Sequence, residues 1–255
     1  MKEKSENIAN KLPPVLAISL LLLLWEAACV MGLVPEYMLP SPVEVIRAFF
    51  QDFPNLMHHA GISLLEALLG LFIGILLAFF MAAVMDRFTI LDRALSPIMI
   101  ITQTIPTIAI APILVLWMGF GMAPKITLVV ITTFFPITVG LLDGYKNVDP
   151  DYLNLMRSLD ATQSQIFFHV KLPSALLHFF SGLHVSASYA VVGAVIAEWL
   201  GGFQGLGVYM TRVRKAYAFD KMFAVIFLIV FISLLLMRLV RFLRDLAMPW
   251  QSARD

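Results

Sequence analysis

Residues 149–173 read DPDYLNLMRSLDATQSQIFFHVKLP, a polar interruption in a chain dominated by long apolar stretches. Asp149 is suited to cap the first free N–H groups of a helix, and Pro150 fits the first helical position. Apolar side chains then recur at the i, i+3, i+4, i+7 spacing that places one stripe on a helix. They are Tyr152, Leu155, Met156 and Leu159. This helix is too short to cross a bilayer, which takes about 20 apolar residues.

A second helix start lies in the same segment. Thr162 and Gln165 have the spacing of a capping box, in which each side chain bonds to the backbone N–H of the other residue. Between the two helices, Asp160 stands where a left-handed turn residue would serve, and Asp tolerates that conformation better than most non-glycine residues. We therefore predict two short helices outside the membrane, the second ending at Leu172-Pro173. Together they would form a helix-turn-helix that a partner can bind.

The composition of the whole chain indicates an integral membrane protein. Of its 255 residues, 60% are hydrophobic and only 14% are charged, whereas soluble proteins average about 25% charged residues. The net charge of +1 and the absence of a long basic run give no reason to expect nucleic-acid binding. A single cysteine, Cys29, excludes an internal disulfide.

The apolar stretches predict an all-α, polytopic protein with six spans. We place the spans near residues 15–34, 61–85, 95–118, 125–142, 175–200 and 222–241. The region between the first two spans reads as a loop with a short amphipathic helix near residues 43–50, and His58 and His59 as solvated loop residues. The sequence Ala27-Ala28-Cys29 is also compatible with a signal peptide, but Glu26 disfavours a lipoprotein signal, and we expect an uncleaved first helix.

Two spans carry signals about packing. In the second span, small residues recur every four positions at Gly70, Gly74 and Ala78, which lets another helix approach closely. The third span contains Pro97, Pro106 and Pro112. Prolines inside a membrane helix often mark a bent helix that lines a cavity. We therefore assign Gln103, Thr104 and Pro106 to a translocation pathway.

The positive-inside rule orients the six spans. With both termini in the cytoplasm, twelve of the eighteen lysine and arginine residues lie inside, together with residues 149–173. The cluster Arg212, Arg214 and Lys215 falls outside, against the rule. The predicted organisation is a cytoplasmic tail at 1–14, one transmembrane domain at 15–245 and a cytoplasmic tail at 246–255.

The sequence gives little support for an enzyme. It has no phosphate-loop motif for binding ATP, and no His or Cys pair at metal-ligand spacing, so we predict no metal site and no catalytic residue. Glu66 and Glu198 lie near the outer ends of their spans. Each is either an interfacial carboxylate, an interhelical hydrogen-bond partner or a contact for a solute. Trp117, Trp199 and Trp250 suit the membrane interface.

The segment 149–173 resembles the cytoplasmic coupling loop of binding-protein-dependent ABC importer permeases. That loop reads Glu-Ala-Ala, three residues, Gly, nine residues, Ile, one residue, Leu-Pro. In this chain the corresponding residues are Asn154-Leu155-Met156, Asp160, Val170 and Leu172-Pro173. The spacing matches the pattern, although several residues differ from it. The branch for nitrate, sulfonates, taurine and thiamine-precursor pyrimidines matches more closely. The shared residues are Arg157, Leu159, Ala161, Gln165-Ile166-Phe167, Gly182-Leu183, Ala197-Glu198, Gly205-Leu206-Gly207 and Pro249-Trp250.

The resemblance implies the type I importer permease fold and a transport subunit of the bacterial inner membrane. Two copies of the chain would form the pathway, with an extracytoplasmic solute-binding protein outside and two ATPase subunits inside. The chain itself would hold no cofactor, since ATP and Mg would be bound by the partner ATPase. Glu198 would belong to the translocation pathway with Gln103, Thr104 and Pro106, as a structural or gating residue. The coupling residues would be Tyr152, Leu155, Met156, Arg157, Leu159, Asp160, Ala161 and Pro173.

Other interpretations of the residues stay open. Segment 149–173 could also be an ordinary amphipathic connection on the membrane surface, although few basic residues lie on its polar face. An ATP-independent secondary carrier is the alternative function, but such carriers show interrupted helices in both halves, and here only the third span is interrupted. Residues 207–212 favour a thiamine-precursor pyrimidine or related heterocycle as solute, with nitrate, taurine and sulfonates as competitors.

Overall fold

The fold was analysed in a computed structural model that describes residues 2–35 and 38–249, with side chains from Leu12 onward. Trp250 and residues 251–255 of the predicted C-terminal tail lie outside the described residues. Within the described part every regular element is helical, so the all-α class is confirmed. The chain divides into two compact units, residues 1–57 with 209–228, and residues 58–208 with 229–255.

Eleven α-helices follow one another along the described residues, with one π-helical turn. They are α1 (Lys2–Val30), α2 (Pro42–Gln51), α3 (Phe53–Arg87), α4 (Thr89–Thr104), α5 (Thr107–Met118), α6 (Met122–Lys146), α7 (Pro150–Ser158), α8 (Gln163–Ile166), the π turn (Phe167–Lys171), α9 (Leu172–Gly201), α10 (Leu206–Lys215) and α11 (Phe219–Ala247). Five helical stretches are long and apolar enough to cross a membrane, and α4 with α5 makes a sixth if that bent pair is one span.

The predicted third span is broken where its prolines predicted a bend. Helices α4 and α5 meet at 99° across Ile105 and Pro106. Pro106 has no N–H to donate to an upstream carbonyl, and it restricts the residue before it to extended backbone, which Ile105 adopts. The chain therefore leaves the helix for two residues in the middle of an apolar stretch.

The second short helix does not end at Leu172-Pro173 as predicted. Instead α8 runs through the π turn into α9, so that residues 163–201 form one helical stretch. Proline is tolerated in the first turn of a helix, where an N–H would have no partner. Pro173 is in the first turn of α9 directly after the π turn, where the Leu172 N–H bonds five residues back to the Phe167 carbonyl, so its missing N–H falls where the i→i−4 pattern is already interrupted.

Region 35–60 is also more helical than predicted. The amphipathic helix near residues 43–50 is confirmed as α2, which begins with a capping box between Ser41 and Glu44. However, α3 already starts at Phe53 and includes His58 and His59. The interpretation of these histidines as loop residues is therefore wrong, and His59 is buried.

The core of the larger unit is built on helices that approach backbone to backbone. Gly140 and Gly144 of α6 face α9, where an added Cβ would lie 2.6 Å from the His178 carbonyl oxygen and from Ala175 Cα, respectively. Nearer the start of α6, a Cβ at Gly70 of α3 would lie 2.5 Å from Val129 Cβ, and one at Gly74 would meet the Thr133 hydroxyl. Ala78 is fully buried. Small residues thus let α3 and α9 both pack closely on α6.

The smaller unit is organised around Trp25 and Asp52. The Trp25 indole N–H donates to the Pro40 carbonyl oxygen at 3.1 Å, and its ring stacks on Phe227 with centroids 6.0 Å apart. Asp52, at the end of α2, accepts a hydrogen bond from the Tyr209 hydroxyl and lies 3.4 Å from Lys221 Nζ. These contacts join residues that are far apart in sequence into one unit.

Candidate functional site

Helix α7 opens segment 149–173 with the cap that the sequence indicates. The Asp149 carboxylate accepts a hydrogen bond from the Asp151 N–H at 2.9 Å, and Pro150 is the first helical residue. Cap and proline together satisfy or remove N–H groups that would have no helical partner. They therefore fix the point at which the chain turns from α6 into the segment.

The turn after α7 is a Schellman motif centred on Asp160. Asp160 has φ of 54°, the left-handed conformation that its position predicts. Its N–H donates to the Arg157 carbonyl at 3.0 Å, and the Ala161 N–H donates to the Met156 carbonyl at 3.0 Å. These two bonds define the motif, which usually carries glycine at the left-handed residue. Asp160 therefore keeps the turn of the glycine-containing pattern despite the different side chain.

The start of α8 carries the predicted capping box. The Thr162 hydroxyl accepts from the Gln165 N–H at 3.3 Å, while the Gln165 side chain accepts from the Thr162 N–H at 2.7 Å. Ile166 is buried, and Phe167 packs against Tyr145 with ring centroids 5.3 Å apart. The segment is thus seated on the end of α6 through its second half.

The first half of the segment leaves its apolar face uncovered. No residue of α7 is buried. The side chains of Tyr152, Leu155 and Leu159 are 60%, 57% and 69% exposed, although they share one face of the helix. Met156 and Ala161 beside them are half-buried, and Arg157 is exposed. A contiguous apolar face outside the spans favours a protein partner over solvent.

One ion pair ties the end of the segment to α3, and a second ties the end of α6, just before the segment, to α4. Lys171 Nζ lies 2.7 Å and 2.9 Å from the two carboxylate oxygens of Asp86, at the end of α3. Lys146, at the end of α6, lies 2.8 Å from Asp92 of α4. A displacement of the segment would therefore act directly on α3, and on α4 only through the end of α6.

The predicted pathway residues of the third span meet at one cavity. Gln103, Thr104 and Pro106 all lie on the wall of a cavity of about 1000 Å³ in the larger unit. The other walls come from α3, α5, α6 and α9, and they include Phe80, Trp117, Phe134, Phe135 and Tyr189. The break between α4 and α5 thus opens onto a wide, mostly apolar space.

Glu198, the fourth predicted pathway residue, is not among the residues that line this cavity. It is 1% exposed and accepts hydrogen bonds from the Ser63 hydroxyl at 2.6 Å and from the Gly207 N–H at 2.6 Å. Ser63 in turn accepts from the Leu206 N–H at 2.8 Å. The carboxylate therefore holds the loop that follows its own helix.

Three successive backbone N–H groups in that loop are bound by side chains. Gly205 donates to Nδ1 of His59 at 3.0 Å, followed by Leu206 to Ser63 and Gly207 to Glu198. Gly205 has φ of 120°, and a Cβ there would collide with the Glu198 carboxylate. These requirements explain why glycine suits this position. We name residues 202–207, which connect α9 to the first turn of α10, the bracketed loop.

A buried ion pair lies beside the bracketed loop. Lys125 Nζ is 2.7 Å from Glu66 Oε1 and 3.2 Å from the Gln204 carbonyl oxygen, and both side chains are at most 5% exposed. Sequence reasoning singled out Glu66 and Glu198 but missed their partners Lys125 and Ser63, and it missed His59, which accepts from the Gly205 N–H. The only sign of these partners in the sequence was their position near the beginnings of α3 and α6. Pairing across more than 50 residues is not visible in local spacing.

Comparisons with known proteins agree on one kind of molecule. The family described as binding-protein-dependent transport system inner membrane component matches residues 70–247. A probable ABC transporter permease protein of Haemophilus influenzae is 38% identical, over 88% of this chain and 92% of that protein. The formylaminopyrimidine transport permease protein ThiX of Halalkalibacterium halodurans is 34% identical, over 94% and 96%.

A solved structure gives the same fold. One chain from an inward-facing conformation of the MetNI methionine ABC transporter superposes with a TM-score of 0.61 at 19% identity. The match covers 76% of this chain and 95% of that one. The predicted type I permease fold is therefore confirmed.

Proposed function

Because the chain belongs to the family of binding-protein-dependent transport system inner membrane components, we propose that it forms a solute pathway that an ATPase subunit drives through residues 149–173. The chain is a multi-pass permease subunit of an ABC importer in the inner membrane. The observation that carries the proposal is the exposed apolar face of α7, held in place by a cap, a Schellman turn and two ion pairs.

The coupling mechanism follows from that construction. Tyr152, Leu155 and Leu159 would sit in a groove of the ATPase, as amphipathic helices do in other complexes. When ATP closes two ATPase subunits, the segment moves with them as a rigid body. Its tie at Asp86 passes the movement to α3, and the end of α6, which is paired with Asp92, passes it to α4 and so to the broken span beside the cavity.

The assembly implied by the family contains two copies of this chain, two ATPase subunits that bind ATP and Mg, and an extracytoplasmic solute-binding protein. Both termini would lie in the cytoplasm, on the side of segment 149–173. The solute would be a small heterocycle, such as the formylaminopyrimidine for which the Halalkalibacterium relative is named, or a small anion such as taurine or nitrate.

The test replaces an anchor of the apolar face. Leu155→Asp should leave the protein in the membrane but abolish uptake, because a carboxylate cannot enter an apolar groove without losing its hydration. Uptake of radiolabelled formylaminopyrimidine and of taurine is measured in the native cell after chromosomal replacement. We expect at least one of them to accumulate with the parent chain and neither with the variant.

The matched control is Asn154→Asp, which adds the same charge to the opposite face of α7, where Asn154 is exposed. It should transport like the parent. Uptake by Leu155→Asp at the parental rate would show that α7 does not couple transport.

A further inference from the structure

A cleft between α9 and α11 is lined by basic side chains that have no part in the proposed coupling. It has a volume of about 370 Å³ and lies within the larger unit. Its wall consists of Phe180, Ser181 and His184 of α9 and of Val240, Arg241 and Arg244 of α11. Within the described chain, no acidic residue lies on this wall. Two arginines without a carboxylate beside them in the cleft favour an anionic ligand.

The two arginines keep donors available to such a ligand. Arg241 is exposed and has no acceptor among the described residues. Arg244 donates through Nε and Nη2 to one oxygen of Asp245, at 3.0 Å and 2.8 Å, so its Nη1 group is left for another acceptor. A guanidinium presents its N–H groups in a planar fork that matches the oxygens of a phosphate. The α11 side of the cleft therefore offers one complete fork and one further donor.

His184 adds a donor on the α9 side. Its Nδ1 is buried and has no hydrogen-bond partner within the described residues. A buried N–H without a partner is rarer than a buried acceptor without one, so we expect the ring proton on Nε2. The Nε2–H group is then the donor with which the ring can meet a ligand. Ser181 donates its hydroxyl to the Leu177 carbonyl at 3.0 Å and keeps lone pairs that can accept from a hydroxyl of the ligand.

The cleft lies where the apolar part of α11 ends. Residues 222–237 contain no charged side chain, and Arg238 is the first charged residue after them. At 1.5 Å per residue this run covers about 24 Å, close to the hydrocarbon thickness of a bilayer, which is about 30 Å. Arg241 and Arg244 follow within the next two turns of the helix. The cleft is therefore at the level of the lipid headgroups.

Uncovered apolar side chains stand next to the cleft residues in the sequence. Leu239 and Leu243 of α11 and Val185 of α9 are all exposed. Acyl chains can cover such side chains, whereas a small anion dissolved in water cannot. Basic pockets between membrane helices at this level bind anionic lipid headgroups in other proteins. Charge, depth and apolar surroundings thus favour a lipid over a free anion.

We infer that the cleft between α9 and α11 binds the phosphate group of an anionic phospholipid, with Arg241 as its main contact and Arg244 and His184 as further donors. The inference goes beyond the proposed function and does not depend on it, because it needs only a chain that spans a membrane. The bound lipid joins α9 to α11 at the membrane surface.

The test is native mass spectrometry of the full-length chain, delipidated in mild detergent. Phosphatidylglycerol and phosphatidylcholine with the same acyl chains are titrated, and their dissociation constants are compared. We expect phosphatidylglycerol to bind at least about 5-fold more tightly, since each arginine near an anionic headgroup contributes a factor of that order. Arg241→Gln should weaken phosphatidylglycerol binding at least about 10-fold, because hydrogen bonds between two charged groups are lost. Inorganic phosphate in large excess should not displace the lipid.

Arg238→Gln is the matched control, because it removes the same charge from an exposed position of α11 that lies outside the cleft. It should weaken binding by no more than about 5-fold, the contribution of one arginine to a diffuse surface attraction. Equal losses in the two variants would show diffuse attraction instead of a site. Equal affinity for the two lipids would exclude an anionic headgroup, and displacement by inorganic phosphate would assign the cleft to a free anion. Each of these results would overturn the inference and leave the proposed function standing.

Discussion

Lys125 is the residue that compensates the buried negative charge of Glu66 beside the bracketed loop. Its ammonium is the cation that faces Glu66, and it also binds the Gln204 carbonyl. Two buried carboxyl groups hold this region: Glu66 faces Lys125, and Glu198 accepts from Ser63 and Gly207, and both residues are at most 1% exposed. Removing one member of a buried pair leaves the other charge without compensation, whereas removing both together is far less harmful.

We therefore expect Lys125→Met to lower the free energy of unfolding by about 3–5 kcal/mol, the usual cost of breaking a buried pair. Denaturant unfolding in detergent measures the loss. The double variant Lys125→Met, Glu66→Gln should recover part of it, because no unpaired carboxylate remains at Glu66. A single variant as stable as the parent would mean that the pair contributes nothing.

Asp52 makes the stability of the smaller unit depend on pH. Burial alone would raise the pKa of its carboxyl group, but the Tyr209 hydroxyl and the Lys221 ammonium outweigh burial and lower that pKa below its ordinary value. A lowered carboxyl pKa adds stability above the ordinary value near 4, and this stability is lost as the pH falls through the folded-state pKa.

Thermal unfolding between pH 7 and pH 3 tests this dependence. Asp52→Asn should be less stable than the parent at pH 7, and the difference should shrink as the pH approaches 3. Asp151→Asn, at an exposed carboxylate of α7, should follow the parent curve. A constant difference between parent and Asp52→Asn across the range would contradict the assignment.

In the proposed mechanism, segment 149–173 moves its neighbours through ion pairs, and these pairs differ in exposure. Lys171 and Asp86 are only 22% and 15% exposed, whereas Lys146 of the second pair is 55% exposed. Exposed pairs contribute about 0–1 kcal/mol because water screens them. The Lys171 pair should therefore transmit more of any movement than the Lys146 pair.

We expect Lys171→Ala to lower solute uptake per ATP hydrolysed, with ATP hydrolysis retained, because the ATPase would still bind α7. The measurement is the ratio of uptake to hydrolysis in proteoliposomes. Lys146→Ala should have a smaller effect, and the exchange Lys171→Asp with Asp86→Lys should restore the ratio. An unchanged ratio in Lys171→Ala would remove this tie from the mechanism.

Local signals predicted these elements better than contacts between them. The Asp149 cap, the Asp160 turn and the Thr162 capping box involve residues within a few positions, so spacing alone gives them. The predicted helix end at Pro173 was wrong because a proline inside a helix usually ends it. The π turn that accommodates Pro173 here was not visible in the pattern. His59 was missed because its partner Gly205 lies 146 residues away.

The features on which the proposed function rests lie in three separate places of the described chain. The apolar face of α7 is exposed for a partner, the cavity lies at the broken span, and the buried charges hold the bracketed loop. The cavity and the bracketed loop lie within the larger unit, as does α7. Under the proposed function, the face of α7 is the docking surface, the cavity is the pathway, and a separate subunit supplies the energy.

The most direct measurement of that claim is affinity purification of the tagged chain from its native membrane in mild detergent, followed by subunit quantification and an ATP hydrolysis assay. The account predicts an ATPase in equal amount to this chain, kept in Asn154→Asp and lost in Leu155→Asp. A chain recovered alone, or an ATPase that Leu155→Asp retains in full, would contradict coupling through residues 149–173.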